Sequence, residues 1–309
     1  MGLYIEKIAN EEEYSSLRNM FSQIMKKDIA VSEIDVFHDN GEGVDRRYNV
    51  YKVNTGEGTY ILKKSNDMEI DVYKNYLSGK NLPVPKFYGH CKKDRDLWIV
   101  IEFVEGEDLR SFTEEMAYLA ADSLSKIQNE FWNCSEKKER GNNRFEKYMK
   151  RIKRRSLCLK NEYKLAAAYD IFMKRQLECP RTMSNGDFLQ CNAIYSKSGI
   201  TLIDWGFSGV MPYSLDIARL ITHGSEEYKP FSFYMTDSYR KIFLKSVYDK
   251  LINKPDYEQF IYDVKMACLN ECIEFIEEEL KDVSRERDEI FNYYYKCAVY
   301  LAEEILKSR

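Results

Sequence analysis

The 309-residue chain is short of the residues that interrupt or staple a fold: 14 Gly, 6 Pro, 3 His, and no Cys-x-x-Cys pair among eight cysteines. Scarce Gly and Pro, beside 44% hydrophobic and 14% aromatic residues, exclude collagen-like, low-complexity and disordered classes. Cysteines at 91, 134, 158, 179, 191, 268, 272 and 297 in a chain long enough to bury a core are read as free thiols. Cys268 and Cys272 share a helical face, but His38, His90 and His223 all lie far from them in sequence, so helix packing is the reading there and a metal centre is not. Charge of one sign is missing too. With 47 basic and 51 acidic residues the net charge is −4, and neither nucleic acid nor an anionic membrane is expected as a partner. The apolar run Leu97–Val104 carries Glu102 and is too short to span a bilayer. The start, MGLYIEKIANEEEYSS, lacks the basic and apolar regions of a secretion signal, and Glu6 stands where lipidation at Gly2 requires Ser or Thr. A cytoplasmic protein is expected.

What is present divides into two textures. Ile34–His38, Tyr48–Val53 and Thr59–Lys63 are β-branched or aromatic runs separated by turn residues, which predicts an antiparallel meander. A helix follows from about Asp67 to Leu77, then an extended LPVPKFYG and a buried strand over Leu97–Val104. Beyond Gly106, helical spacing dominates in Thr113–Phe131, Arg144–Leu159, Asn161–Leu177 and from Ser214 to the end, broken between Pro180 and Gly206 by a loop and hairpin. The expected fold class is α+β: a β-rich lobe with one helix over residues 1–105 and a larger, mostly helical lobe over 106–309.

The segment SNGDFLQCNAIYSKSGITLIDWG carries the chemistry. Runs Ala193–Tyr195 and Ile200–Ile203 flank Ser196-Lys197-Ser198-Gly199, a hairpin with glycine at the turn. Asn192, before the first strand, and Asp204, after the second, should emerge together at the open end, within about 5 Å. An amide oxygen and a carboxylate suit Mg²⁺, which takes one or two protein oxygens and completes its shell with water and phosphates. Asp187 lies across the same loop, placed to accept a proton from an incoming hydroxyl or to orient it.

Asn185-Gly186-Asp187-x4-Asn192 followed by Ile203-Asp204-Trp205-Gly206 resembles the catalytic and metal-binding loops of the aminoglycoside phosphotransferase and choline kinase family, relatives of protein kinases. The resemblance extends over most of the chain. It implies a two-lobed kinase-like fold with ATP between a nucleotide-binding lobe, which ends in a hinge, and a lobe holding the catalytic loop and acceptor pocket. It implies Lys63 as the phosphate-pairing lysine, with Lys64 as runner-up, and Glu69 as the acidic partner, with Asp71 as an alternative. Gly41 and Gly43 stand where the family covers the nucleotide, although an ordinary turn explains them equally well. Glu102 and Val104 resemble the hinge whose backbone meets the adenine edge, and Asp216 the aspartate that braces the catalytic loop. The activity implied is transfer of the γ-phosphoryl of ATP, with Mg²⁺, to a hydroxyl of a small molecule: an aminoglycoside, a choline-like amine or a sugar-like metabolite. Two departures stand out. Asn185 and Gln128 replace histidines usual in the family, and Asn185 motivates the alternative of a degenerate, nucleotide-binding scaffold protein.

Three further features are read as ordinary helix faces. The six basic residues of 147-KYMKRIKRR-155 predict a solvated helix face. Glu271, Glu274 and Glu278 share one helical face, read as exposed acid with an acceptor-pocket wall as the alternative. Tyr293-Tyr294-Tyr295 is read as helix packing, with an ammonium cage as the alternative.

Overall fold

The computed structural model describes residues 3–40, 45–134, 144–226, 228–229, 231, 234–282 and 284–308, so Gly41 and Gly43 lie outside the described residues. The chain divides into two compact units, Met1–Glu105 and Gly106–Arg309.

The first unit is built on a six-stranded antiparallel sheet. Its strands β1 (Leu3–Lys7), β2 (Val31–Asp39), β3 (Arg46–Thr55), β4 (Gly58–Ser65), β5 (Phe87–Lys93) and β6 (Asp96–Glu102) lie in the order β1-β2-β3-β4-β6-β5. Helix α1 (Glu11–Met25) is a second helix in a lobe expected to hold one. Asn10 caps it, its side chain accepting the Glu13 N–H, and three glutamates in the first turn suit the positive end of the helix dipole. Its Leu17, Met20, Phe21 and Ile24 recur at helical spacing and pack with Ile34, Val36, Val53, Leu62 and Val100 of the sheet. The helix expected at 67–77 is α2 (Asp67–Val72), capped by Asn66, and it continues through a π-helical turn over Tyr73–Leu77. The strand expected to reach Val104 ends at Glu102.

The second unit holds helices α3 (Glu114–Glu130), α4 (Arg144–Arg155), α5 (Tyr163–Glu178), α6 (Ser214–Ile221), α7 (Asp237–Lys250), α8 (Tyr257–Lys281) and α9 (Glu289–Lys307). Its core gathers Tyr169 and Phe172 of α5, Leu269, Ile273 and Ile276 of α8, and Tyr294, Ala298 and Ile305 of α9. Short strands sit among them: β7 (Glu107–Asp108) pairs with β9 (Ala193–Ser196), which forms the expected hairpin with β10 (Gly199–Leu202), and β8 (Arg181–Ser184) pairs with β11 (Gly209–Pro212).

Of the six basic residues in the run, Lys147, Lys150, Arg151, Lys153 and Arg154 are exposed as expected and Arg155 is not. Arg155, at the end of α4, is 2% exposed and its guanidinium bonds Glu277 and Asn270 at 2.8 Å each and pairs with Glu274 at 2.8 Å. Tyr294 is buried against His223 and Phe275, which agrees with packing. None of the eight cysteines is in a disulfide. Among the described residues no helix is long and apolar enough to cross a membrane.

Candidate active site

Strand β8 ends where the chain must turn sharply. Asn185 follows it, and Gly186 has φ +81°; a Cβ at Gly186 would lie 2.1 Å from the Phe207 carbonyl oxygen, so only glycine fits this crossing. Beneath the turn lies Asp216, from the first turn of α6 and 2% exposed. Its carboxylate accepts from the Ser184 hydroxyl (2.7 Å) and from the backbone N–H of Asn185 (2.8 Å) and Gly186 (3.0 Å). Burial raises the Asp216 carboxyl above the usual carboxylate range, and those three donors pull it back.

Asn185, the departure from the family pattern, is 1% exposed and tied in at both ends of its amide. Its Nδ2 donates to the carbonyls of Ile203 (3.0 Å) and Asp204 (3.2 Å), and its Oδ1 accepts from the Asp187 N–H (3.2 Å). The amide thereby joins the loop of Asp187 to that of Asp204. The hairpin ladder continues one step past the paired strands, since the Ile203 N–H donates to the Asn192 carbonyl at 3.0 Å. That bond sets Asp204, at φ +53°, next beyond the pair.

Asp187 is held at both carboxylate oxygens. Asn192 Nδ2 donates to Oδ2 at 2.9 Å and to the Asp187 carbonyl at 2.8 Å. Arg219, on α6, donates from Nε (3.0 Å) and Nη2 (2.8 Å) to Oδ1 and from Nη1 (3.0 Å) to Glu271 of α8. Arg219 was not found from the sequence. Its partners are 32 and 52 positions away, and the one local signal is that it lies three residues after Asp216 on the same helix. Burial raises the Glu271 carboxyl while Arg219 lowers it again. At Glu274 burial acts in the same direction, but Arg155 and then Arg151 prevail and hold the carboxyl below its ordinary value. The exposed acidic face expected over Glu271, Glu274 and Glu278 is therefore corrected: Glu271 is buried against Arg219, Glu274 is paired to Arg155, and Glu278 alone lies on the outside.

A cavity of about 270 Å³ opens onto Asp187, Gly186 and Phe207, with Glu271 and Glu274 of α8 and Arg144 and Arg151 of α4 in its walls. Asn192 turns its Nδ2 toward Asp187, and its Oδ1 accepts no hydrogen bond among the described residues; this amide oxygen and the carboxylate of Asp204 are the hard oxygens that the loop and the hairpin supply. Such a pair fits Mg²⁺, which needs only one or two protein ligands.

In the first unit, Lys63 on β4 pairs with Glu69 of α2 at 3.0 Å. Glu69 is 1% exposed and also accepts from the Ser65 hydroxyl at 2.7 Å. Lys64 points away to Asp96 (2.8 Å), and Asp71 accepts from Asn75 at 2.6 Å. Glu102 accepts the Lys86 N–H through its side chain (3.0 Å) and donates its own N–H to the Lys86 carbonyl (2.8 Å); Val104, past the end of β6, is half-buried.

The sequence model described as the phosphotransferase enzyme family (APH) matches residues 40–235. The chain belongs to this family. The matched span holds the Asp187 loop, Asp204 and Arg219, whereas α8 with Glu271 and Glu274 lies beyond it. Among solved structures, the choline kinase LicA from Streptococcus pneumoniae is 16% identical with a TM-score of 0.58, over 95% of this chain and 100% of that one. The Plasmodium vivax ethanolamine kinase is 16% identical with a TM-score of 0.54, over 89% and 83%. A thermostable mutant of aminoglycoside phosphotransferase APH(4)-Ia, solved with ADP and hygromycin B, is 14% identical with a TM-score of 0.56, over 95% and 98%. At these identities the likeness establishes the fold, the α+β two-lobed fold of small-molecule phosphotransferases. No curated protein matches the chain.

Proposed function

We propose that the protein transfers the γ-phosphoryl group of ATP to a hydroxyl of a small molecule. The observation that carries this reading is the Asp187 carboxylate, held at both oxygens by Arg219 and Asn192, at the wall of a cavity. Asp187 accepts the hydrogen bond of the incoming hydroxyl, aims its oxygen at the phosphorus, and takes the proton as the new O–P bond forms. Arg219 and Asn192 fix the direction of that carboxylate, which makes orientation the larger part of that role. Asn192 and Asp204 would hold Mg²⁺, which supplies neutralisation of charge on the phosphates. Lys63, positioned by Glu69, binds phosphate oxygens; the backbone at Glu102 and Val104 meets the adenine; and residues 1–105 and 106–309 serve as the nucleotide and acceptor lobes. Gly41 and Gly43 would belong to the loop over the nucleotide.

Asn185 does not favour the degenerate alternative, since its amide makes the bracing bonds that an imidazole would make only in part. The test is nucleotide consumption with Mg²⁺ by wild type and Asp204→Ala, across panels of small hydroxylated acceptors. Acceptor-dependent ADP formation that disappears in the variant supports the proposal. A protein that binds ATP and forms no ADP with any panel contradicts it.

A further inference from the structure

Among the described residues two side chains hold the Asp187 carboxylate, and they are not equivalent. Asn192 donates to Oδ2 at 2.9 Å but belongs to the same loop, so it moves with Asp187. Arg219 comes from α6 and ties the carboxylate to the helices. Its grip has a weakness, because Nε (3.0 Å) and Nη2 (2.8 Å) converge on the single oxygen Oδ1 instead of spanning both oxygens. A planar guanidinium forked across two oxygens has its direction fixed; two donors on one oxygen make a pivot about which it can swing.

The swing is stopped from α8. The remaining nitrogen, Nη1, donates to Glu271 Oε2 at 3.0 Å, and Glu271 is the more buried of the two carboxylates, its side chain 10% exposed against 21% for Asp187. Helix α8 is itself anchored at this level. Asn270, Glu274 and Glu277, spaced four and three apart beside Glu271, hold the three guanidinium nitrogens of Arg155 at 2.8 Å each, and the Tyr169 hydroxyl of α5 donates to Asn270 at 2.8 Å. Support therefore runs from α4 and α5 through α8 to Arg219 and on to the loop. Helix α8 begins at Tyr257, past residue 235 where the family match ends, so the matched span does not include this support.

Resting on the phosphotransferase reading of this site, we infer that Glu271 is a positioning residue of the reaction, which acts through Arg219 to set the direction of the Asp187 carboxylate toward the acceptor hydroxyl. An ion pair that served stability alone would leave transfer by the folded protein unchanged. A stop on the pivot changes the rate, because a small misplacement of the hydroxyl against phosphorus is costly.

The test joins steady-state kinetics to crystallography on wild type, Glu271→Leu, Glu271→Gln, Arg219→Ala and the double variant Glu271→Leu with Arg219→Ala. Leucine fills a similar volume and offers Nη1 no acceptor, whereas glutamine keeps an amide oxygen for it. Each variant is assayed at a temperature where circular dichroism shows it folded, and Glu271→Ala replaces a leucine variant that does not fold. Glu271→Leu lowers kcat roughly 10- to 100-fold with the KM for ATP within about twofold, and Glu271→Gln recovers part of the loss. In the Arg219→Ala background the same Glu271→Leu change alters kcat by less than about twofold, because the path is already cut. Crystals of Glu271→Leu show the Arg219 guanidinium turned away from Asp187 Oδ1. Three outcomes overturn the inference: Glu271→Leu turning over at the wild-type rate, an equal loss in both backgrounds, or Arg219 unmoved on Asp187 in the crystal of the variant. A wild type that forms no ADP with any acceptor would instead remove the phosphotransferase reading, and the crystal of Glu271→Leu would still decide whether Glu271 holds Arg219 on Asp187.

Discussion

Arg219 satisfies one oxygen of Asp187 with two hydrogen bonds and ties it to Glu271 with a third, so this loop carboxylate is oriented by a residue of helix α6. Arg219→Ala should lower kcat at least about tenfold with less than about a twofold change in the KM for ATP, because the loss is one of orientation; steady-state kinetics check this split. Gly186 makes a second prediction at this scale. Gly186→Ala places a methyl group 2.1 Å from the Phe207 carbonyl at a positive φ, and should destabilise the protein by about 2 kcal/mol or more in urea unfolding and abolish activity with it. The placement of Asp187, Asn192 and Asp204 on one loop and hairpin end was legible in the sequence because a short loop and a hairpin fix their spacing locally. Arg219 was not, because what defines its role is two partners brought to it by the fold.

Helix α4 shows the same limit at the scale of an element. Its six basic residues pattern as a solvated face, yet Arg155 turns inward to Glu274, Glu277 and Asn270 of α8. Periodicity marks which residues share a face, but charge alone does not say which face is covered when the covering helix supplies carboxylates. Arg155→Ala removes one donor from each of two carboxylates and an amide oxygen, Glu274 losing its close partner, and should cost about 3–5 kcal/mol in denaturant unfolding; replacing Arg151, half exposed on the same helix, should cost less than about 1 kcal/mol. Strand β1 escaped the sequence reading for a related reason. All five of its residues are exposed, so it has no alternation of buried and open positions to betray it, and only pairing with β2 makes it a strand. The long α1 was missed beside strands with stronger β-branched patterns, although its cap, Asn10, and acidic first turn are local signals that the sequence does contain.

For the molecule as a whole, the division at Glu105/Gly106 coincides with the change from strand-rich to helix-rich sequence, which is why the α+β class was legible while the burial of particular charges was not. Global stability should report one of those burials. His223 is 1% exposed, its Nδ1 is 2.8 Å from the Tyr294 hydroxyl, and Glu271 is 4.0 Å from its Nε2. Burial, then the charges of Arg219 and Arg240, pull it from 6.5 to about 3. Unfolded chains bind a proton at this histidine below pH 6.5 and the folded protein does not until about pH 3, so stability must fall as pH falls through that window, by up to about 1.4 kcal/mol per pH unit. Urea unfolding at pH 5 and pH 7 should show that loss, and His223→Gln should flatten it. The central claim, that Asp187 directs phosphoryl transfer to a small-molecule hydroxyl, is tested most directly by single-turnover transfer of labelled γ-phosphate to an acceptor, wild type against Asp187→Asn, with ATP affinity measured on both. The account predicts transfer lost by a factor of at least about 1,000 with ATP affinity within about threefold. An Asp187→Asn protein that still labels the acceptor at a comparable rate would contradict it.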